Sequence, residues 1–151
     1  MAEEKKQMIK LTREQLINAF GAERANLDAL QQQMAAMDNA LREILGATDA
    51  LNAIKKSKEG EKIVVPVGAG IYIDAAIESS SKAKSSLAGG VVVNNSIEDA
   101  LKELEAKKQE TENAISGVRK EQERVITNLN SFGGLLQSLE QKRSQEQART
   151  D

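Results

Sequence analysis

The chain has 151 residues, of which 40% are hydrophobic and 29% charged but only 2% aromatic, a composition that argues against a compact globule. It contains no Cys and no His, which excludes disulfide bonds, thiol chemistry, zinc-finger sites and histidine acid–base catalysis. The 21 basic and 23 acidic residues are interspersed, and this excludes the basic face that nucleic-acid binding requires.

The N-terminal sequence shows no sign of a targeting segment. Residues 2–7 are polar and lack the apolar stretch of a signal peptide. The sequence also has no run of about 18 apolar residues that could span a membrane. We therefore expect a cytoplasmic protein.

The first 58 residues carry an apolar seam that predicts a coiled-coil helix. Its positions alternate in steps of four and three residues, which is the spacing of a left-handed coiled coil. The seam consists of Ile9, Arg13, Leu16, Phe20, Glu23, Leu27, Leu30, Met34, Met37, Leu41, Ile44, Thr48, Leu51 and Lys55. Thr12 and Gln15 could form a capping box, but Met8 and Ile9 continue the pattern and favour a helix that runs through from about residue 5. Gly60 suits the C′ position after the helix.

Residues 59–95 contain an internal repeat that predicts two β-hairpins. The segment Val65-Pro66-Val67-Gly68-Ala69-Gly70-Ile71-Tyr72-Ile73-Asp74 aligns with Ser85-Ser86-Leu87-Ala88-Gly89-Gly90-Val91-Val92-Val93-Asn94 at an offset of 20 residues. Two hairpins expose their sheet edges and cannot bury an apolar face alone. We therefore expect the segment to mediate oligomerisation, through Val65, Val67, Ile71, Ile73, Val91 and Val93.

Pro66 removes a backbone donor, so we expect it at an edge, a bulge or a position without a ladder hydrogen bond. The Gly68-Ala69-Gly70 turn has no following Lys-Ser or Lys-Thr and precedes a strand, which argues against a phosphate-binding loop.

Residues 96–151 form a second coiled-coil helix, which Asn95 or Ser96 can cap. Its seam is Ile97, Leu101, Leu104, Lys108, Thr111, Ile115, Val118, Gln122, Val125, Leu129, Phe132, Leu136, Leu139 and Arg143. Because the central segment is short, the two helices should pair antiparallel. Leu51 then lies near Leu101, and Phe20 lies near Phe132.

The ends of the paired helices carry more apolar residues than a two-helix seam can bury. Gly21 and Gly133-Gly134 lie at the same level and weaken the helices there. We interpret these ends as exposed functional tips, and the alternative of ordinary frayed termini stays open. The apolar tip residues are Met8, Ile9, Leu11, Leu16, Leu135, Leu136 and Leu139.

Three motifs together resemble the alpha class of archaeal prefoldin subunits. They are the run Val64-Val65-Pro66-Val67-Gly68-Ala69-Gly70-Ile71-Tyr72-Ile73, the turn Ala88-Gly89-Gly90-Val91-Val92-Val93 and the helix opening Ser96-Ile97-Glu98-Asp99-Ala100. The resemblance covers almost the whole chain. Ser85-Ser86 depart from the family pattern, in which β-branched residues are usual, so a short or ragged third strand is expected.

The resemblance implies an α+β fold, mostly α, in which a long antiparallel two-helix coiled coil carries two central hairpins that join an intersubunit β-barrel. It further implies a hexamer of two alpha and four beta subunits. Such a complex is an ATP-independent chaperone, without cofactor or metal, that holds unfolded proteins at its coiled-coil tips and passes them to a group II chaperonin. The resemblance therefore implies that the apolar tip residues bind these clients.

Two rival interpretations remain open. One is a homo-oligomeric or filament-forming prefoldin relative, and the other is a structural coiled-coil adaptor that binds no clients. An enzyme is not supported, because the Asp and Glu residues fall on the solvated faces of the predicted helices.

Overall fold

The computed structural model describes residues 12–149. The chain forms, in order, helix α1 (Arg13–Lys56), strands β1 (Lys62–Gly68), β2 (Ile71–Ala76), β3 (Lys82–Ser86) and β4 (Val92–Ser96), and helix α2 (Ile97–Ala148). The predicted class is confirmed: two long helices flank two small antiparallel hairpins.

Helix α1 begins with a capping box. The Thr12 backbone N–H donates to the Gln15 side-chain oxygen at 2.9 Å, and the Gln15 N–H donates to the Thr12 hydroxyl at 3.2 Å. These two bonds satisfy donors that the first helical turn leaves unpaired. Thr12 is not helical, so the expectation that the helix runs through this position is wrong.

Helix α1 ends at Lys56, before the predicted glycine. Gly60 has a φ of 83° and lies in the turn in which the Glu61 N–H donates to the Lys58 carbonyl at 3.1 Å. Gly60 therefore serves this turn and does not occupy the C′ position of the helix. A glycine suits the turn because a side chain would strain the left-handed backbone.

The two hairpins repeat each other residue for residue. In the first, Lys62 pairs with Ala76 and Val65 with Ile73. In the second, the positions 20 residues later form the same pairs: Lys82 with Ser96 and Ser85 with Val93. The equivalence extends to the flanks, since the Ile77 N–H donates to the Glu61 carbonyl and the Ile97 N–H to the Ser81 carbonyl, both at 2.9 Å.

The hairpins differ at their turns. The pairing of β1 with β2 shifts between Pro66 and Gly68, so the proline lies beside a bulge, as its missing donor predicts. Strand β3 is shorter than β1, but all of its five residues are paired and it is not ragged.

Helix α2 begins at a cap that the sequence indicates. The Ser96 hydroxyl accepts the Asp99 N–H at 3.0 Å, which is the N-cap bond. Ser96 is also the last residue of β4. The chain therefore passes from the second hairpin into the helix with no intervening loop.

The chain has two compact units. The first contains the described residues up to Ala35 and from Ser116 onward, and Leu16, Val118 and Val125 are buried there. Within it the Arg13 side chain lies 3.7 Å from Glu140, and Asn128 donates to Glu23 at 2.7 Å. The helices of this unit are antiparallel neighbours, within one residue of the predicted register.

The second unit, Ala36–Ile115, contains both hairpins and the adjoining helix segments. Ile77, Ile97, Ala100 and Ile115 are buried there. The Lys55 ammonium lies 3.0 Å from a Glu98 carboxylate oxygen, and this pair also falls within one residue of the predicted register. Ile77 and Ile97 are equivalent positions of the repeat, so each hairpin is anchored to the unit by an isoleucine that follows its last strand.

Candidate protein-binding surfaces

The hairpins expose most of their large apolar side chains. Within residues 12–149 each sheet has two strands, so each strand has one edge that pairs with no other described strand. The apolar residues with half or more of their surface exposed are Val64, Val67, Ile71, Tyr72, Ile73, Leu87, Val91 and Val92. Exposed apolar patches of this kind are typical of protein–protein contacts.

The structure divides the predicted oligomerisation residues into two groups. Val65 and Val93 are half-buried. Val67, Ile71, Ile73 and Val91 are between 50% and 61% exposed. Val65 and Ile73 are paired across β1 and β2 and therefore lie on the same face of the first hairpin.

Sequence reasoning missed the opposite face of the hairpins. Val64 and Tyr72 are each 63% exposed and Val92 is 61% exposed, and all three lie on the face that does not contain Val65 or Val93. The sequence could have indicated this second apolar face, because near the turn of each hairpin apolar residues occur at successive positions of the strand and therefore point to both faces. A strand that is apolar on both faces is typical of burial on both sides.

An open groove of about 770 Å³ lies between the two hairpins in the second unit. The first hairpin contributes Ile63 and Ala76 to it, and the second contributes Ala83 and Asn94. Ile77 and Ile97 also line the groove. Ile63 and Ala83 are half-buried, whereas Ala76 and Asn94 are exposed, and Lys82 and Lys84 also line the groove. A partner strand would therefore meet both apolar and charged side chains there.

The predicted client-binding residues of the first unit fall into three groups. Met8, Ile9 and Leu11 lie outside the described residues. Leu135 and Leu139 are 53% and 39% exposed, and Leu136 is half-buried.

Leu16 requires a correction. Its side chain is only 2% exposed, so the expectation of an exposed residue at this position is wrong. Leu16 occupies a seam position, and packing in the seam removes it from solvent. The sequence analysis also missed Ile17, which is 43% exposed and lies directly after the seam residue.

The predicted loosening at the tip glycines does not interrupt the helices. Helix α1 continues through Gly21, and α2 continues through Gly133 and Gly134. A Cβ built on Gly133 would lie 3.9 Å from the Phe20 ring, which is an ordinary van der Waals contact, so the ring does not require a glycine at this position.

No charged side chain of residues 12–149 is fully buried. One pair shows shifted pKa values: the hydrogen bond from Arg124 lowers the pKa of Glu121, and the same bond raises the pKa of Arg124. The two residues are three positions apart on α2, which is the spacing of an ordinary helix-surface ion pair. Among residues 12–149, no group of three or more Asp or Glu side chains could hold a metal ion.

The glycine-rich turn of the first hairpin differs from a phosphate-binding loop. Gly68, Ala69 and Gly70 connect β1 to β2 and have positive φ values of 111°, 51° and 78°. A phosphate-binding loop leads into a helix whose N-terminus faces the anion.

No helix within residues 12–149 has the length and apolar character needed to cross a membrane.

The chain is similar in sequence to a known protein family. The family profile described as "Prefoldin subunit" matches residues 24–142. The chain is 25% identical over 129 residues to "Prefoldin subunit alpha" of Thermofilum pendens, an alignment that covers 85% of this chain and 95% of that protein. It is 26% identical over 145 residues to "Prefoldin subunit alpha" of Pyrococcus horikoshii, with 95% of each chain covered.

Among solved structures, the chain resembles a subunit of filamentous PFD from Methanocaldococcus jannaschii with a TM-score of 0.66. The match covers 78% of this chain and 97% of that chain, at 18% sequence identity. At this level of identity the similarity concerns the fold.

Proposed function

The chain belongs to the prefoldin family, a family of chaperone subunits, and from this premise we propose that it is the alpha-class subunit of an ATP-independent chaperone complex. The complex contains two copies of this chain and four beta subunits, and it acts in the cytoplasm. It needs no cofactor and catalyses no reaction. It holds unfolded proteins and transfers them to a group II chaperonin.

The exposed apolar surface of the two hairpins carries this proposal. Two-stranded sheets are marginally stable in water without a second layer, yet here their large side chains, such as Val64, Tyr72 and Val92, are mostly exposed. Burial of apolar area contributes about 25 cal/mol per Å². Burial of these strands by neighbouring subunits therefore contributes substantially to the free energy of assembly.

Client binding is assigned to the ends of α1 and α2 in the first unit. Ile17, Leu135 and Leu139 are apolar and exposed there. An unfolded client has no fixed shape, so its binder needs several small adaptable patches rather than one moulded pocket. Several tips acting together raise the effective concentration of such patches, while each weak contact still permits release to a chaperonin without nucleotide hydrolysis.

The test combines assembly with client capture. The chain is mixed with a prefoldin beta subunit, the mass of the complex is measured, and suppression of aggregation of a chemically denatured protein is followed by light scattering. Deletion of residues 1–16 and 136–151 together should leave the complex assembled but abolish suppression. A truncated complex that still holds client fully contradicts the tip assignment. A full-length complex that does not suppress aggregation favours a structural adaptor.

A second candidate is self-assembly without beta subunits. The solved structure that the chain resembles is described as filamentous, and the exposed hairpin strands are equally able to pair with copies of themselves. The mass of the purified chain alone separates the two candidates. A large homo-oligomer that does not change on addition of a beta subunit favours the second.

A further inference from the structure

Leu16 is more deeply buried than the seam positions that follow it on α1. It lies in the first turn of the helix and is 2% exposed, and it is the one buried residue of Arg13–Lys56. Phe20 and Leu27, further inside the same seam, are only half-buried. Helix ends fray and are normally less well packed than helix interiors. An additional apolar contact at this end of the helix would account for the difference.

The capping box at Thr12 directs the preceding residues towards Leu16. An N-cap residue has a non-helical backbone, so the chain turns away from the helix axis there. In the associated hydrophobic staple, the residue before the cap packs against the fourth helical residue. With Thr12 as the cap, these two residues are Leu11 and Leu16. Both are apolar, as a staple requires.

An exposed apolar stripe of α2 lies beside the start of α1. The Arg13 side chain is 3.7 Å from Glu140, so the two helices are neighbours at this level. Leu135 and Leu139 are 53% and 39% exposed, and residues four apart lie on the same side of a helix. We call this pair the leucine stripe. The residues before Thr12 therefore join the helix close to one end of the leucine stripe.

The preceding segment has the composition and the reach to cover the leucine stripe. Met8, Ile9 and Leu11 are apolar, whereas Gln7 and Lys10 are polar. The stripe is about 6 Å long at 1.5 Å per residue. Four extended residues span up to roughly 14 Å. The segment can therefore contact both leucines of the stripe while it remains attached at the cap.

We propose that residues 8–11 pack across Leu16 onto the leucine stripe of the same chain, an inference that rests on the proposed client-binding role of this tip. In the absence of client, the segment protects the apolar surface of its own tip. A client binds where the segment has been displaced, so its apparent affinity is reduced by the fraction of tips that are covered. The segment thus regulates access to the site, a role different from direct contact with the client.

The first test removes the apolar side chains of the segment. The complex with a prefoldin beta subunit is formed with Met8→Ser and Ile9→Ser together, and its affinity for fluorophore-labelled, reduced and carboxymethylated lactalbumin, which stays unfolded, is measured. The dissociation constant should fall about threefold, the change expected when about two thirds of the tips are covered. Gln7→Ser with Lys10→Arg, at polar positions of the same segment, is the matched control and should leave the affinity unchanged. Unchanged binding of the Met8→Ser, Ile9→Ser complex overturns the inference, and so does weaker binding, which would indicate direct client contact.

The second test uses the absence of native cysteine. Ile9→Cys is combined with Leu139→Cys or, as the matched control, with Gln141→Cys, an exposed position on another side of α2. Each complex, formed with a cysteine-free beta subunit, is treated with a short bis-maleimide, and gel electrophoresis separates links within one chain from links between chains. The link within one chain should form faster with Leu139→Cys than with Gln141→Cys, and the unfolded lactalbumin should slow it. Equal rates for the two pairs, links between chains only, or no effect of the unfolded protein overturns the inference.

The two proposals fail in different ways. A complex that does not bind the unfolded protein, with or without the serine substitutions, counts against the chaperone role, while the relative cross-linking rates still report the packing of the segment. Binding by the unaltered complex that the serine substitutions do not strengthen overturns the covering role alone.

Discussion

Asn128 donates a hydrogen bond to Glu23 across the two helices of the first unit, with 2.7 Å between Nδ2 and Oε1. Both residues are half-buried, so the carboxylate retains a polar partner where the seam would otherwise surround it with apolar groups. On the register that pairs Phe20 with Phe132, Glu23 would lie opposite Leu129, one position away from Asn128. Polar pairs at such positions can set the register of a coiled coil.

This pair predicts a coupled effect on stability. Glu23→Ala and Asn128→Ala should each lower the free energy of unfolding by about 1 kcal/mol, because each leaves a half-buried polar group without its partner. The double variant should lower the free energy of unfolding by less than the sum of the two single losses. Urea unfolding at fixed protein concentration measures the three values. Asn130→Ala, an exposed neighbour, should have little effect, and additive losses at positions 23 and 128 would show that the bond contributes nothing.

Substitutions of buried and of exposed tip residues should have different effects on stability and on client capture. Leu16→Ala should lower the free energy of unfolding by about 2 kcal/mol, because it removes a buried side chain, with little change in capture per folded complex. Leu135→Ser with Leu139→Ser should reduce suppression of client aggregation several-fold while unfolding changes little, since both side chains are exposed. Thermal unfolding and light scattering together provide the measurements. If Leu16→Ala and the two serine substitutions reduce client capture equally, the distinction between a packing role and a client-binding role is wrong.

The hairpin strands should control assembly without affecting the helices. Replacing Ile71, Ile73, Val91 and Val93 with Asp should dissociate the complex to monomers, because buried charges would oppose the intersubunit contact. Far-ultraviolet circular dichroism should remain largely helical. Leu45→Asp changes an apolar α1 residue of 42% exposure and serves as a control that should leave the mass unchanged. A complex that survives the four substitutions contradicts assembly through these strands.

The N-cap of α2 should be sensitive to loss of a single hydroxyl. Ser96→Ala removes the acceptor of the Asp99 N–H and should cost about 1 kcal/mol. Ser144→Ala is the matched control, because the Ser144 hydroxyl donates to the Glu140 carbonyl within the helix and caps no free donor. The difference in urea midpoint between the two variants measures the effect. Equal midpoints would show that Asn95 or solvent replaces the cap.

Local pattern was sufficient to predict most of the fold. The predicted seam positions of α2 from Ile97 to Leu136 are all buried or half-buried, since a period of about 3.5 residues directs side chains to one side of a helix whatever surrounds it. The offset of 20 residues between the hairpins likewise became the register offset between their strand pairs. A repeat in sequence produces the same strand pairing because the alternation of side chains is a property of the strand itself.

The amino-acid sequence was therefore enough to predict which segments are helices, which are hairpins and which positions face the seam, because these depend on interactions between near neighbours in the chain. The folded chain was needed to show that Leu16 is buried, that Asn128 donates to Glu23 and that Val64 and Tyr72 are exposed on the face of the first hairpin opposite Val65. These properties depend on which distant residues come within contact distance. Spacing along one chain does not specify them.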